Sequence, residues 1–432
     1  MPNQSFVIEG GHPVGGRIRP SGNKNAALPL IAATLLTDDE VVLSNVPAIR
    51  DVDALIAMLR DLGVTVTPRG KGSVAFRADR VNGNEPKAEV GRQIRASLLL
   101  AGPLLARRGH LRLPMPGGDV IGRRRIDTHI LALEALGATV ETARGEYVFT
   151  AAKRLAGAEV FLDEASVTGT ENAVMAAALA SGTTVIDNAA CEPHVQDLCQ
   201  LINAMGGRVD GVGTNRLVIH GVTKLHGAEY ELGPDYIEVG SLITLAAVTG
   251  GELLIEEARP HEHRATRLAF NRLGISFGPD ASGRNILVPG GQKLRVTSDV
   301  GGAIPKIEDA PWPGYPADLT SIAVVGATQS EGTVLIFEKM FESRLFFVDR
   351  LAAMGARLIL CDPHRVVVTG RSQLIGQELV SPDIRAGMAL VIAALCADGV
   401  STIHNIRQID RGYERIDERL AALGARIERR AR

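Results

Sequence analysis

The sequence predicts an α/β protein made of six similar units, each with helices inside and a sheet outside. A Leu-Gly or Met-Gly pair recurs six times, with its glycine at Gly63, Gly137, Gly206, Gly274, Gly355 and Gly424. Each pair closes a segment that holds an Ala-rich apolar stretch, a β-branched stretch and an amphipathic stretch, in that order. The chain has 432 residues, more than one hydrophobic core normally supports, which indicates two domains.

The apolar stretch opens every unit and has the length of a helix. We expect it to be buried, because a helix that is apolar nearly all round belongs in an interior. Its many alanines allow neighbouring helices to approach closely. The six stretches are NAALPLIAATLL, RASLLLAGPLLA, NAVMAAALA, VGSLITLAAV, DLTSIAVVGAT and IRAGMALVIAALCA.

A strand and a second helix follow in each unit. Runs such as EVVLSNV, TTVIDNA, GTVLIFE and VSTIHNI are β-branched and predict strands. Runs such as RDVDALIAMLRDLG and RGYERIDERLAALG have charged faces and predict surface helices that end at a left-handed glycine. One or two further strands, such as RLVIHGV and RVVVTG, come after the glycine. A doubly wound α/β sheet is the alternative that this pattern allows.

The six units divide three and three at the segment ELGPDYIEVG, where Gly233-Pro234 is a plausible crossing point. A cleft between two such halves is a common ligand site. The sequence therefore predicts a ligand site that draws residues from both halves of the chain.

Composition excludes several classes of function. Lys and Arg (47) nearly balance Asp and Glu (49), so a general nucleic-acid binder is not expected. The four cysteines form no CxxC pair, and the start MPNQSFVIEGG has no secretory pattern, which favours a cytosolic protein. No apolar run reaches the length of a membrane span. P-loop, GxGxxG and HExxH motifs are missing, so neither a metal nor a nucleotide cofactor is implied.

Basic residues recur at the joints next to the apolar stretches. Lys24 directly precedes the first predicted helix, where a positive charge and free backbone N–H groups together favour an anion. An N-terminal cap beside a solvated lysine is the simpler alternative. Guanidinium forks match phosphate and carboxylate, so convergence of several joints predicts a small, strongly anionic substrate. The arginines concerned are Arg95, Arg124, Arg344, Arg385 and Arg411, each of which could alone be a surface ion pair.

Three aspartates are candidates for acid–base chemistry. Asp119 lies between glycines in GGDVIG, which predicts a mobile loop that closes over a ligand, with a simple turn as the alternative. Asp318 and Asp383 both precede apolar helices, and the pattern favours helix caps at both positions.

Distinctive segments extend over nearly the whole chain: SGNKNAALP, QIRASLLLAGPLLAR, PGGDVIGRRRIDTH, ACEPHVQDL, ELGPDYIEVGSL, GYPADLTS, FEKMFESR, SPDIRAGMAL and HNIRQIDRGYERID. In them the chain resembles the enolpyruvyl transferases, and in particular the branch that acts on UDP-N-acetylglucosamine. The resemblance implies an inside-out α/β barrel with two domains built from six βαβαββ repeats. Residues 1–22 would join 234–432, and residues 23–233 would form the other domain.

The resemblance also implies a reaction. The enolpyruvyl group of phosphoenolpyruvate would pass to the 3′-hydroxyl of UDP-N-acetylglucosamine and phosphate would leave, in the first committed step of peptidoglycan synthesis. No cofactor is implied. Asp119 would deliver a proton to the methylene carbon, and Asp318 would accept the proton of the hydroxyl.

The remaining implied roles concern binding. Lys24, Arg124 and Arg411 match residues around the phosphate of phosphoenolpyruvate, and Arg344 and Arg385 match those near its carboxylate. Asn25, which also borders the phosphoenolpyruvate site, matches a sugar-nucleotide contact, as do Arg95, Asp318 and Met340. The run Arg124, Arg125, Ile126, Asp127 and Thr128 matches a uridine-side loop, and the run from Glu164 through Ser166 and Val167 matches a diphosphate-side loop.

Asp119 departs from the pattern, because many family members carry a cysteine there. A free aspartate has a pKa of about 3.9, so service as an acid requires dehydration or substrate charge to raise it. Without the thiolate, we expect insensitivity to the epoxide antibiotic fosfomycin. Arg125, Thr128 and Glu164 also depart from a common Pro, Leu and Lys.

Three other functions stay open at this stage. One is an enolpyruvyl transferase that acts on shikimate 3-phosphate, although the motifs for UDP-sugar are the ones present. Another is a non-catalytic paralogue that binds UDP-sugar as a regulator. The third is an RNA-end cyclase of similar architecture, for which no nucleophilic histidine can be placed.

Overall fold

The computed structural model describes residues 4–83, 85–92, 94–117, 122, 125–143 and 145–431. These residues form two compact units. The contiguous unit contains 22–117 and 125–233, and the split unit contains 4–21, 122 and 234–431.

Helices and strands alternate along the whole described chain. The α-helices are α1 (Lys24–Ala33), α2 (Arg50–Asp61), α3 (Ala88–Gly91), α4 (Ala101–Arg108), α5 (Asp127–Ala135), α6 (Val167–Ala178), α7 (Pro193–Ala204), α8 (Tyr236–Thr249), α9 (Arg264–Arg272), α10 (Thr320–Gln329), α11 (Val348–Ala353), α12 (Ile384–Cys396) and α13 (Ile416–Ala421). The strands are β1 (Gln4–Glu9), β2 (Gly16–Ile18), β3 (Val41–Ser44), β4 (Thr65–Pro68), β5 (Val74–Arg77), β6 (His110–Pro114), β7 (Thr139–Ala143), β8 (Glu146–Thr150), β9 (Glu159–Phe161), β10 (Thr183–Asp187), β11 (Arg208–Asp210), β12 (Arg216–His220), β13 (Glu229–Glu231), β14 (Leu253–Ile255), β15 (Gly278–Pro279), β16 (Ile286–Val288), β17 (Lys306–Glu308), β18 (Gly332–Phe337), β19 (Leu358–Asp362), β20 (Arg365–Gly370), β21 (Glu378–Val380), β22 (Val400–His404) and β23 (Arg426–Ala431).

The contiguous unit encloses its apolar helices within three sheets. The sheet orders are β13-β3-β5-β4, β6-β8-β7 and β11-β12-β10-β9. Helices α1, α4 and α6 occupy the centre, and nearly every residue of α1 and α6 is buried. Helix α2 behaves differently, because it buries Leu55 and Leu59 and exposes Arg60. Each sheet is thus closed on its inner face by helices.

The split unit repeats this arrangement. Its sheets have the orders β21-β22-β1-β23, β15-β16-β14-β2 and β17-β18-β20-β19. Helices α8, α10 and α12 pack against one another and are buried almost throughout. The inside-out arrangement of helices and sheets that the sequence predicts is confirmed in both units.

The predicted helix ends are confirmed as well. All six glycines of the Leu-Gly and Met-Gly pairs have positive φ, from 75° at Gly274 to 99° at Gly355. An L side chain strains the backbone in this region, whereas glycine does not. The doubly wound alternative is wrong, because the strands fall into six small sheets instead of one.

Two predicted helices differ from their sequence patterns. In RASLLLAGPLLA, residues Arg95–Leu100 form a 3-10 helix and α4 starts only at residue 101. Pro103 lies in the first turn of α4, where a proline is tolerated, so this start of the helix agrees with the preference of proline. Helix α13 begins late, at Ile416, because Arg415 has a φ of 39° that no α-helix contains.

In the part of the chain that the structure describes, every helix is too short or too polar to cross a bilayer.

Candidate functional site

Asp318 lies at the centre of a buried charge cluster in the split unit. Arg344 Nη2 donates to Asp318 Oδ1 at 2.9 Å, and Arg385 Nε donates to Asp318 Oδ2 at 3.0 Å. The side chains of Arg344 and Arg385 are only 3% and 6% exposed, whereas that of Asp318 is 28% exposed. The partly exposed carboxylate of Asp318 therefore binds two guanidinium groups that are almost fully buried.

The elements around Asp318 explain this geometry. Asp318 belongs to a 3-10 turn at Ala317–Leu319, directly before α10, and Arg385 belongs to the first turn of α12. Burial opposes the charge of Arg385, but the neighbouring Asp318 holds the pKa of this guanidinium well above its ordinary value. The same opposition of burial and Asp318 leaves the pKa of Arg344 raised.

The prediction that both aspartates are helix caps is wrong for Asp318 and confirmed for Asp383. The Asp318 side chain binds arginines, and Leu319 holds the cap position of α10 without a side-chain hydrogen bond. Asp383 caps α12, since its Oδ1 accepts from the backbone N–H groups of Arg385 and Ala386. Arg385 lies in the first turn of α12, where a cation opposes the helix dipole, and the carboxylate of Asp318 offsets this cost.

Met340 lies beside this cluster in the loop that follows β18. Its backbone N–H lies 3.3 Å from Asp309 Oδ2 and 3.3 Å from Glu338 Oε1. Both carboxyl groups are buried, and Glu338 Oε2 also faces Arg344 Nε at 3.6 Å. Sequence reasoning missed Glu338 and Asp309. The only signal was that Glu338 lies in the segment FEKMFESR, which had been singled out for Arg344.

Arg411 ends the 3-10 helix Ile406–Arg411 and donates to Gln408 Oε1 at 3.1 Å. Arg429 of β23 donates two hydrogen bonds, of 2.9 and 2.8 Å, to the neighbouring residue Asp410. Arg429 also binds both oxygens of Asp417 in α13, at 3.0 and 2.9 Å. The terminal strand therefore fixes the segment that carries Arg411.

Lys24 begins α1 in the contiguous unit and is only 12% exposed. Its Nζ lies 3.1 Å from Asp51 Oδ2 in the first turn of α2. Asn23 is the cap of α1, and its side chain accepts from the backbone N–H of Asn25 and of Ala26. Lys24 is thus a mostly shielded cation that is paired with a carboxylate at a helix start, and it is not the solvated lysine of the alternative.

The predicted nucleotide residues of this unit meet around Asp163. Arg95 Nη2 donates to the carbonyl of Arg125 at 2.5 Å. Arg125 itself donates to Asp127 at 3.0 Å and to Asp163 at 3.4 Å, and hydrogen bonding to Asp127 raises the pKa of its guanidinium. Thr128 Oγ1 donates to Asp163 Oδ1 at 2.6 Å. Asp163 follows β9 and was not singled out from the sequence.

Ile126 and Ser166 stand at the starts of two adjacent helices. Ile126 is the cap residue of α5 and is buried. Ser166 caps α6, whose first residue is Val167, and its Oγ accepts from Gly169 N at 3.3 Å. Glu164, in the same turn, is exposed. The predicted diphosphate-side loop thus lies at the N-terminal end of a helix, where free N–H groups favour anions.

A buried polar network supports the same helix starts. Asn172 donates to His129 Nδ1 at 2.8 Å, so the proton of the neutral ring lies on Nε2, which faces Thr168 Oγ1 at 3.0 Å. Asn172 also joins α6 to α4, because Gly102 N donates to its Oδ1 at 2.8 Å. Burial, aided by the charge of Arg95, lowers the pKa of His129 to about 3.

Asp119 and Arg124 lie outside the residues that the structure describes. Of the others, Asp318, Arg344 and Arg385 are brought into direct contact, and Arg95, Arg125, Asp127 and Thr128 form a second connected set. Each set combines guanidinium donors with carboxylate acceptors, which suits an anionic substrate that carries hydroxyl groups.

Comparison with known sequences gives consistent similarities. The family model described as EPSP synthase (3-phosphoshikimate 1-carboxyvinyltransferase) matches residues 8–420. A UDP-N-acetylglucosamine 1-carboxyvinyltransferase of Treponema denticola is 56% identical over 423 residues, which covers 98% of each chain. The protein of the same name from Bradyrhizobium diazoefficiens is 55% identical over 424 residues, with 98% of this chain and 97% of that one covered.

Solved structures share the fold. The enolpyruvyl transferase NikO from Streptomyces tendae superposes with a TM-score of 0.87 at 24% identity, and both chains are fully covered. An EPSP synthase from Acinetobacter baumannii gives a TM-score of 0.75 at 19% identity, over 99% of this chain and 100% of that one. At these identities the likeness concerns the fold alone, which is the two-domain inside-out α/β barrel.

Proposed function

This chain belongs to the UDP-N-acetylglucosamine 1-carboxyvinyltransferases within the enolpyruvyl transferase family, and from that premise we propose how its residues divide the work. The reaction of the family transfers the enolpyruvyl group of phosphoenolpyruvate to UDP-N-acetylglucosamine in peptidoglycan synthesis. We place it in the cytoplasm, because both substrates are water-soluble anions that do not cross a membrane unaided.

The transfer proceeds by addition and elimination. The 3′-oxygen of the sugar bonds to C2 of phosphoenolpyruvate while C3 gains a proton, which gives a tetrahedral intermediate. Phosphate then leaves C2, and C3 loses a proton to restore the double bond. The enzyme must therefore supply an acid at C3, a base at the hydroxyl and positive charge around the phosphate.

The observation that carries our assignment is the Asp318–Arg344–Arg385 cluster. We assign the base to Asp318 because it is the partly exposed carboxylate between two buried arginines. Arg385 Nη1 is buried and has no hydrogen-bond partner among the described residues, so it can receive the carboxylate of phosphoenolpyruvate. When that carboxylate shares the two guanidinium groups, their hold on Asp318 weakens and its oxygen can take the proton of the hydroxyl.

Phosphate stabilisation is assigned to Lys24, Arg124 and Arg411. Lys24 supports this role because its charge is already held at a helix start by Asp51 and needs little reorganisation. Fixed cations of this kind stabilise a leaving phosphate more effectively than mobile ones do.

The sugar nucleotide is assigned to the sets around Asp163 and α6. Arg95, the run from Arg124 to Thr128, and Ser166 with Val167 would hold uridine and diphosphate. Asn25 and the Met340 backbone would hold the sugar. Support comes from the free N–H groups at the start of α6 and from the Arg95–Arg125 contact.

Asp119 is assigned as the acid that protonates C3. The assignment uses the position of Asp119 in the glycine-rich loop of the sequence. A carboxyl group there replaces the thiolate that fosfomycin alkylates in many relatives, and we therefore propose that this enzyme is insensitive to fosfomycin.

Phosphate release tests the proposed substrates directly. Purified protein with phosphoenolpyruvate is given UDP-N-acetylglucosamine or shikimate 3-phosphate. We expect release of one phosphate per sugar nucleotide consumed and none above background with shikimate 3-phosphate. Release with the shikimate ester alone would assign another acceptor, and binding of the sugar nucleotide without release would assign a regulator. Asp119→Asn should abolish release while leaving binding of UDP-N-acetylglucosamine intact.

A further inference from the structure

Two buried carboxyl groups, those of Asp309 and Glu338, bind the backbone of the loop after β18. Asp309 is 1% exposed and Glu338 is not exposed at all. Lys339 N donates to Asp309 Oδ1 at 2.5 Å, and Phe341 N donates to Glu338 Oε1 at 3.2 Å. The N–H of Met340, between them, points to both groups at 3.3 Å. The two carboxyl groups thus share one donor, and every backbone N–H from 339 to 341 is directed at them.

Positive charge around this pair is scarce. Arg344 faces Glu338 Oε2 at 3.6 Å, which is too long for a hydrogen bond, and it is already bonded to Asp318. The ring of Phe341 covers its guanidinium, with the centroid 4.9 Å away. The side chains that face the carboxyl group of Glu338 from the elements packed around it are Arg344, Asp309, Tyr315 and Thr320, whereas His364 Nδ1 contacts the backbone carbonyl of Glu338 at 2.7 Å.

Two ionised carboxylates at this place would be strongly unfavourable. Buried like charges that share a site cannot both ionise, and one of them keeps its proton. Burial raises the pKa of Glu338 to about 8, with Arg344 acting against the rise and Asp309 adding to it. The backbone N–H of Met340 is shared between the two carboxyl groups, and each has one further backbone donor, Lys339 N for Asp309 and Phe341 N for Glu338.

We propose that Glu338 and Asp309 are positioning residues, which hold the backbone of Met340 in place for UDP-N-acetylglucosamine as long as one of the two carboxyl groups is protonated. This inference rests on the proposed contact between Met340 and the sugar nucleotide. Loss of the shared proton puts a second negative charge beneath the loop and loosens it. Affinity for the sugar nucleotide then falls as the pH rises, although neither carboxyl group touches substrate.

Calorimetric titration with UDP-N-acetylglucosamine between pH 6.5 and 9 tests this role. If only the protonated pair is competent, the dissociation constant of the wild type rises about tenfold from pH 7 to pH 9. Glu338→Gln mimics the protonated group, so it should bind as the wild type does at pH 7 and show no such rise. Asp309→Asn removes the other charge and should also flatten the profile, which covers the case in which Glu338→Gln fails to fold.

A matched control separates this effect from titration of the ligand. Glu262 is a buried glutamate of the same unit that pairs with Arg259, at 3.2 Å, and its Gln variant should keep the wild-type profile. The same rise in Glu338→Gln and Asp309→Asn as in the wild type would overturn the positioning role. A wild type that binds at pH 7 but shows no rise would overturn it as well. A wild type that binds no UDP-N-acetylglucosamine at any pH would instead overturn the proposed function on which the inference rests.

Discussion

Arg385 donates to Asp318 over 3.0 Å, although the two residues lie 67 positions apart in the chain. Arg344 binds the other oxygen of the same carboxylate. Because both guanidinium groups are almost fully buried, Asp318 is what makes their charge tolerable in the fold. The proposed base is thus also a structural counter-ion.

Replacing Asp318 by Asn should therefore affect both activity and stability. We expect kcat to fall at least about 10²-fold, because the amide cannot accept a proton. We also expect the free energy of unfolding to fall by about 3 kcal/mol, because two buried arginines lose their counter-charge. Urea unfolding and phosphate release measure the two effects. Asp362→Asn, which breaks an exposed pair with Arg365, is the control and should change neither. Near wild-type turnover in Asp318→Asn would rule out the role of base.

Response to fosfomycin depends on the residue at position 119. Incubation of the wild type with fosfomycin and UDP-N-acetylglucosamine should leave activity unchanged with time. Asp119→Cys should lose activity progressively and gain the mass of one inhibitor. Time-dependent inactivation of the wild type would contradict the proposal, and Asp119→Ser, which lacks a thiolate, provides the matched control.

Acid should destabilise the contiguous unit through His129. The folded pKa of about 3 lies below the unfolded value of about 6.5, so this neutral ring contributes stability fully above pH 6.5. That contribution is lost as the pH falls toward 3, by about 3 kcal/mol between pH 7 and pH 4. Thermal unfolding from pH 4 to pH 8 measures it, and His129→Gln should show a shallower decline. An equally steep decline in His129→Gln and in the wild type would contradict this assignment.

Arg429 and Arg430, which are neighbours in β23, should contribute very different amounts to the free energy of unfolding. Hydrogen bonds with Asp410 and then Asp417 raise the pKa of Arg429, and its ring contact with Phe6 adds packing. Arg429→Ala should cost about 2 kcal/mol of unfolding free energy, a value reduced because a quarter of the side chain meets solvent. Arg430→Ala, in an exposed pair with Glu428, should cost less than about 0.5 kcal/mol. Equal losses of unfolding free energy in the two variants would contradict this assignment.

KM for phosphoenolpyruvate should rise in Arg429→Ala alone, since that variant releases the Arg411 segment.

The repeat could be predicted because its signals are local. A glycine after Leu or Met, an apolar run and a β-branched run each act within one turn or strand, so the helix ends at Gly63 and Gly424 and the strand β18 follow from their own residues. The family motifs likewise marked Arg344 and Arg385. Proline alone would not have predicted the start of α4 at residue 101, because Pro103 lies in the first turn of α4 whereas Pro29 lies inside α1 without breaking it.

The partners of charged residues could not be predicted in the same way. Asp318 and Asp383 have the same sequence context, an aspartate before an apolar helix, yet one binds two arginines and the other caps its helix. Only the packing of α10 beside α12 decides between them. Glu338 and Asp163 were missed for a related reason, because a single acidic residue after a strand gives no sign of the loop it will hold.

Strand β1, from residues 4–9, lies between β22 and β23, which come from residues 400–404 and 426–431. During synthesis this first strand waits, unpaired, until almost the entire chain has left the ribosome. The contiguous unit needs no such distant partner and can fold while translation continues. Premature termination before residue 426 would therefore leave a folded contiguous unit joined to a split unit in which β1 lacks its partner β23. The exposed sheet edge would favour aggregation and proteolysis.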